Sequence, residues 1–509
     1  MDDFANRFAA AKSHRAERID EAGREAYTYC FNGRETEWTG KKGNTDPEEI
    51  FADAVADVAE EFYGELFSTM TPENTPWVEY EAGSAIPEDN VKEIEDAITE
   101  REKAISKALK SSNYYDEGPT AFQDGVLGTI GIWSDRYHLN DPITFEAVPM
   151  PEMYLRLGPR GIEDRFRLKK YFYRDLPMLF QDAQWPREIK KKIDKGGKGK
   201  AEVIWGFWRD YTDPGNPVWK QAIRVDKHAI GLDMDLGGEG SCPLTVGRFN
   251  PIPNSAWGRG PAIRMLPRLR VLDELVRMNL ENMDKHLDPA YAYPHDGMLD
   301  LSDGIEAGMG YPSMPGSPDQ IKALGGEGSL DYGFFTEERI EERIRDGFYR
   351  EIEQRGKTPP SASQYMGQEQ KQIRRMARPA GKLWTEVGVG VLKRVEYLET
   401  QPGGSLVDKP YLMLEGQIVT LRPISPLERA QAREEVLVAQ SIGGMAQEML
   451  GPEQAGLVID GIKTMHNVKG VLKDKIVEFR SEEQIMEIMQ AQQPQQPQQG
   501  APDGQQPEA

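Results

Sequence analysis

Apolar positions along this chain change rhythm several times, and each change marks a different kind of element. Phe51, Val55, Val58, Phe62 and Leu66 fall three or four residues apart, which places them on one face of a helix. Asp46, Pro47 and Glu48 predict its start: a capping side chain, a proline that needs no amide donor, and an acid at the positive helix end. Thr71-Pro72 predicts its end. Residues 87–115 repeat the pattern through Val91, Ile94, Ile98, Ile105 and Leu109 amid dense mixed charge, predicting a half-exposed helix. From about 143 to 249 the pattern changes to β, with runs at 143–149, 152–158, 164–173, 201–211 and 218–226. Breakers at Pro159-Arg160-Gly161 and Thr212–Pro217 predict hairpins.

Helical spacing then returns. Residues 254–289 predict one helix with Pro261 in its first turn, Met265, Leu269, Leu272, Val276, Met283 and Leu287 on one face, and a kink or delay at Pro267. Residues 336–354 predict a second helix, with Ile340, Ile344, Phe348 and Ile352 as a narrow seam and with i,i+4 pairs Glu341–Arg345 and Asp346–Arg350. Between them, residues 288–335 hold 14 Gly or Pro in 48 positions, too many for an independent core. The chain goes out along one helix and comes back along another. After the break at 355–360, residues 361–399 predict a long helix kinked at Pro379 and Gly381. A short β-like patch at 410–423 precedes a helical C-terminal region from 427, and residues 491–509, Gln/Pro-rich and almost without apolar side chains, predict a disordered tail. The fold class expected is α+β.

Composition narrows the function classes. A formal net charge of −22 and a mean hydropathy of −0.63 describe a soluble acidic protein, and no apolar run approaches the ~20 residues that span a bilayer. The charged N-terminal segment argues against a signal peptide. Cys30 and Cys242 are too few for a disulfide framework and fit a reducing cytoplasm. The acidic balance opposes tight nucleic-acid binding, yet suits walls past which DNA slides.

The search for chemistry returns turns and loops. No His pair has metal-ligand spacing, GGKGKA lacks phosphate-loop spacing, and G-x-S-x-G is absent. The basic run 190–200 reads as a solvated loop, and Arg374, Arg375 and Arg378 as a solvated or intersubunit face. Asn254, Trp257, Gly258, Arg259 and Gly260 read as a tight turn over a packed aromatic. No catalytic, cofactor or metal residue is assigned, and the expectation is a protein that is not an enzyme.

Taken in order, LFSTMTPENTPWVEY, SSNYYDEGPTAFQDGVLGTIGIW, PNSAWGRGP, the Gly/Pro-rich excursion and the helix opening at PPSASQYM resemble the portal proteins, or head-to-tail connectors, of short-tailed bacteriophages. The resemblance spans roughly 1–490. It implies a mainly helical portal fold assembled as a ring of about twelve subunits at one capsid vertex. By resemblance, 1–258 is the wing, 259–287 and 336–354 are the stem helices, and 288–335 is the clip. Residues 355–364 are then the tunnel loop, 365–426 the kinked wing helix and return to the wing, and 427–490 the crown. The family often has T-A-x-E where this chain has Ser361-Ala362-Ser363-Gln364, although serine still caps a helix.

The resemblance further implies a channel for packaging and ejecting double-stranded DNA, with the terminase packaging motor, the tail adaptor and the major capsid protein as partners. It places the protein in the virion after assembly in the host cytoplasm, without membrane or cofactor. Tyr291, Tyr293, Tyr311 and Tyr332 are the expected partner contacts of the clip, against packing between clip subunits. Gly356, Pro359 and Pro360 force a loop between two helices, and Arg355, Lys357 and Thr358 are the expected DNA-channel residues. Lys357 would present one positive charge per subunit, attracting phosphates without gripping them. Two other classes stay open at this point: a cytoplasmic hydrolase with an unrecognised acidic site, and another virion component such as a scaffold or internal head protein.

Overall fold

In a computed structural model of the chain, the residues described are 3–31, 34, 38, 50–74, 76–82, 91–196, 198–287, 290–292, 322–324, 330–350, 375–376, 378–409, 412–414, 417–451, 454 and 458–472. They form two compact units, residues 1–427 and 428–509. The first is an α+β body, and it carries everything described below except the last two helices.

Helices α1 (Asp3–Arg18) and α2 (Asp20–Cys30) open the body, followed by α3 (Ala54–Met70), α4 (Val91–Ser111) and α5 (Tyr114–Gln123). Helix α3 buries Val55, Val58, Phe62 and Leu66 as the spacing requires. Its start differs from expectation. Residues 39–49 lie outside those described, and Phe51 is not helical: its backbone N–H and that of Ala52 donate to Asp273 Oδ1 at 2.8 and 3.0 Å, and the helix begins only at Ala54. Helix α4 buries Ile94, Ile98, Ile105 and Leu109, as predicted.

Two antiparallel sheets follow. One has three strands in the order β10 (Leu244–Arg248), β2 (Thr129–Asp135), β3 (Thr144–Ala147). The other runs β4 (Met153–Gly158), β5 (Gly161–Phe172), β6 (Lys200–Asp210), β7 (Val218–Val225), β8 (His228–Ala229), with β9 (Met234–Gly237) also pairing β7. The hairpins read from the breakers at 159–161 and 212–217 are therefore present. Strand β6 explains its own unbroken apolar run. Ala201, Val203, Trp205 and Phe207 enter the main core, while Ile204 on the opposite face packs with Phe4 and Ala11 of α1. Alternate side chains point to opposite faces, so a strand covered on both sides is apolar throughout. A Cβ on Gly206 would meet the rings of Phe4 and Phe166, so α1 rests on bare backbone there.

The basic run 190–200 departs from the solvated-loop reading. Helix α6 (Arg187–Asp194) takes its first half, because one apolar side chain, Ile189, is fully buried and anchors a turn whose lysines face water.

Helix α7 (Pro261–Leu287) starts at Pro261 and continues past Pro267 without delay. Helix α8 (Leu330–Gly347) returns. The long helix after 360 also differs from expectation. Pro379 and Gly381 lie inside a helical run, and the irregularity comes later, as a π-turn over Trp384–Gly388 ahead of α9 (Val389–Thr400). Tertiary contacts account for it. The widened turn sets Val387 against Gly247, and lets Glu386 accept from the Arg248 backbone N–H at 2.9 Å and from its guanidinium at 2.5 Å. The predicted β-like patch is three short strands, β13 (Met413–Leu414), β14 (Gln417–Ile418) and β15 (Leu421–Pro423), the last paired with β1 (Tyr80–Ala82). Helices α10 (Pro426–Leu450) and α11 (Gly461–Leu472) follow, α10 entering the second unit. The tail from 491 lies outside the described residues.

The two sheets are joined by a buried arginine. Arg167 on β5 donates to Glu146 of β3 at 2.6 Å and to Glu152 at 2.9 Å, and Lys169 also reaches Glu146. Burial pushes the Glu146 carboxyl up, but hydrogen bonds and charge from Arg167 and Lys169 outweigh it and hold the group at about 2. A depressed carboxyl contributes stability above its unfolded value near 4.5, and that contribution fades as pH falls toward 2. Glu146→Gln should therefore lower the Tm at pH 7, with the gap closing between pH 4.5 and 2. Thermal melts across that range read it directly; a gap that stayed constant to pH 2 would mean the ion pairs contribute nothing.

Candidate functional site

The chemistry of this chain concentrates where α7 leaves the body and α8 comes back to it. Helix α7 departs from a junction made almost wholly of backbone. Gly260 N–H donates to the Leu127 carbonyl at 2.7 Å, Phe249 N–H to Gly128 at 2.9 Å, and Arg259 N–H to Phe249 at 3.1 Å. A Cβ on Gly258 would lie 1.9 Å from the Gly128 oxygen, and Gly128 itself has φ +112°. Only glycine allows this approach and this backbone angle. Trp257 is buried beneath the turn, so the reading of 254–260 as a tight turn over a packed aromatic holds.

The two helices pack antiparallel. Met265, Leu269 and Leu272 on α7 are buried with Ile344 on α8 and Phe348 beyond it, with Val276 and Ile340 partly covered. Asn279 Nδ2 donates to Glu337 across the pair at 2.8 Å. Helix α7 is tied to the body by Arg270 to Glu25 at 2.5 Å and by Asp273, which accepts from residues 51 and 52. On its far side Val271 and Met278, seven residues apart, are each 54% exposed. Burial pushes Glu341 above the ordinary carboxylate range, Arg345 pulls it back, and Glu337, Asp53 and Glu338 push it further up.

Helix α8 does not run to residue 354 as its seam suggested. It stops at Gly347. Arg350 N–H donates to the Arg345 carbonyl at 2.9 Å and Tyr349 N–H to Asp346 at 3.1 Å, the pair of bonds that closes a helix in a Schellman motif. The left-handed position is Tyr349, φ +65°, where glycine is usual. Packing compensates for that strain. Tyr349 stacks on Phe62, Phe249 meets both rings, and Phe348 lies edge-on to Phe62 with centroids 6.2 Å apart. Arg350 does not pair with Asp346; it turns to Glu61 and Glu65 of α3, while Asp346 pairs with Arg375 at 2.8 Å. Arg375 and Arg378 are exposed, and Arg374 lies outside the described residues.

The sequence-predicted site residues fall mostly beyond this junction. Arg355, Lys357, Thr358, Tyr293 and Tyr311 lie outside the described residues. Tyr291 sits in the short strand β11 (Ala290–Ala292), opposite Ala323 of β12 (Lys322–Leu324), and Tyr332 in the first turn of α8. This strand pair closes the two ends of the Gly/Pro-rich excursion on each other. The junction residues Phe62, Phe249, Tyr349 and Arg350 were missed as a group, because they come from four separated segments; the one legible hint was Phe348-Tyr349 following a glycine.

Away from this junction, a cavity of about 400 Å³ lies beside Asp124, Arg34 and Glu152. Asp124 already accepts from Tyr27 and from the Met150 N–H, and burial raises Glu152 while Arg167 opposes it. Among the described residues no group of three His, Cys, Asp or Glu is placed to hold a metal, and no helix is long and apolar enough to cross a membrane.

Relative magnitudes say what holds the end of α8. Truncating a buried phenylalanine costs about 3–5 kcal/mol, whereas half-exposed ion pairs contribute about 0.2–1 kcal/mol. Phe348→Ala should lower unfolding free energy by at least about 3 kcal/mol, and Arg350→Gln by no more than about 1 kcal/mol. Urea denaturation of both variants tests this; equal losses would assign the junction to the ion pairs.

A family model described as bacteriophage head to tail connecting protein matches residues 1–472. No curated protein sequence matches the chain. Among solved structures, a chain from the virion of a native gene transfer agent particle is similar over 94% of this chain and 98% of its own, at 10% identity and a TM-score of 0.35.

Proposed function

The chain belongs to the bacteriophage head to tail connecting protein family, a family of structural proteins, and we propose that it acts there as a portal subunit. In this reading about twelve copies close into a ring at one capsid vertex. Double-stranded DNA enters and leaves through the centre, driven by a separate terminase motor, and the tail adaptor later occupies the motor's place. Residues 1–258 form the wing, 259–287 and 336–354 the stem, 288–335 the clip, 355–364 the tunnel loop, 365–426 the kinked wing helix and return to the wing, and 427–490 the crown.

The observation that carries the proposal is apolar helix surface left uncovered in one copy. Val438, Ile442, Met445 and Met449, at spacings of four, three and four, form one stripe on α10, each more than half exposed. Val271 and Met278 form a second on α7. Such faces ask for a neighbour, and a ring supplies the same neighbour to every copy. The pairing of β11 with β12, which brings residues 290–292 and 322–324 together, supports the clip assignment.

Native mass spectrometry and negative-stain imaging of the purified protein should show a closed ring. A lone 57.4 kDa species at every ionic strength would overturn the reading. Replacing 356–360 with a Gly/Ser linker should leave rings intact while DNA packaging or retention falls, because it removes Lys357 and Thr358, which with the adjacent Arg355 are assigned to the DNA path. Unchanged packaging by assembled rings would remove that assignment.

The clip assignment has its own check. Alanine at Tyr291, Tyr293, Tyr311 and Tyr332 should weaken docking of motor or adaptor several-fold or more while the ring persists. Docking of normal strength would move the partner surface elsewhere.

A further inference from the structure

At the root of the stem, a cleft of about 420 Å³ is lined by Arg264 and Arg268 of α7, Arg343 and Asp346 of α8, Tyr349 and Arg375. Four guanidinium groups face one carboxylate. That carboxylate is already taken, since Asp346 pairs with Arg375 at 2.8 Å. Arg264 donates to the Tyr349 hydroxyl at 3.3 Å and to the Gly347 carbonyl, its plane lies over the Tyr349 ring, and its Nε is buried without a hydrogen-bond partner. Arg268 reaches only the Met265 sulfur at 3.2 Å, and neither it nor Arg343 forms an ion pair among the described residues. In a chain of net charge −22, three arginines without an ion pair among the described residues share this one cleft, where they face a single carboxylate that is already paired.

We infer that this cleft is a phosphate site. The donors come from two helices and from residue 375, so they converge from several directions. A carboxylate accepts through two oxygens in one plane, whereas a phosphate presents acceptors tetrahedrally and accepts bidentate guanidinium pairs on more than one side. A bound phosphate oxygen would also supply the acceptor that Arg264 Nε lacks. The Tyr349 hydroxyl, which accepts from Arg264, keeps its own proton free to donate into the cleft. The unusual left-handed backbone of Tyr349 turns the chain at this point and holds that ring against Arg264.

Two sources carry this chemistry, the backbone of duplex DNA and free phosphate. The DNA source rests on the channel reading above; the site itself does not.

The test uses the full chain and the double variant Arg268→Gln/Arg343→Gln. Both residues are exposed and make no ion pair, so the fold should be unaffected. Lys191→Gln/Lys195→Gln, on and just beyond the exposed side of α6, removes the same charge far along the chain as a control. Inorganic phosphate, compared with chloride at equal ionic strength, should raise the Tm of the wild type and of the control but not of the cleft variant. A fluorescent 20-base-pair duplex should bind the cleft variant at least tenfold more weakly than the control, with the salt slope reduced by about 2. A response to phosphate without the loss of DNA affinity would keep the site and assign it to free phosphate, leaving the channel reading to its own tests. If neither probe distinguishes the cleft variant from the control, the proposal fails. It fails equally if the variant changes only the oligomeric state, because the arginines then meet carboxylates of a second copy.

Discussion

The rest of the molecule depends on a place where backbone lies directly on backbone. Gly128, Gly258 and Gly260 bring the end of α5's loop, the turn after β10 and the first residue before α7 within contact, with no side chain between them. Any Cβ at Gly258 would overlap the Gly128 carbonyl. Because Pro261 starts the helix immediately afterwards, this junction sets the direction in which a 27-residue helix leaves the body. A small rotation here would be carried to the far end of a helix about 40 Å long.

The body that receives this leverage is cross-braced by buried and half-buried arginines. Arg394 of α9 donates to the carbonyls of Ser134 and Ser241 at 3.0 and 2.7 Å, pinning the helix to β2 and to the approach to β10. Desolvation lowers its pKa, with Asp135 opposing. Arg15 donates to Met153 at 3.1 Å and Arg165 to Leu244 at 2.6 Å. A guanidinium supplies several donors in a fixed fork, so one side chain satisfies carbonyls from two elements at once. An acidic chain thus places many of its cations inside, and the three arginines without an ion pair in the cleft between α7 and α8 differ from that use.

Much of this architecture was legible. The out-and-back helix pair, the hairpins between 153 and 225 and the buried face of α3 all follow from spacing and breakers, which are local properties. The order of segments carried the family resemblance, and the match over 1–472 bears it out. The departures have one physical origin. The start of α3 was moved by Asp273, more than 200 residues away, and the break after Pro379 was moved to 384–388 by Arg248 and Gly247. The end of α8 was set by rings from α3 and from Phe249. Each boundary was decided by a partner that local sequence does not contain.

By itself the sequence determined which stretches bury a face, where the chain must turn, and that an uninterrupted core is impossible between 288 and 335. Periodicity and glycine or proline content act over a few residues, so they are written locally. Only the tertiary structure decided which carboxylates meet which arginines, which glycines allow two backbones to touch, and that four arginines from three segments share one cleft. Those outcomes depend on distances between residues far apart in the chain, and such distances exist only once the body has folded.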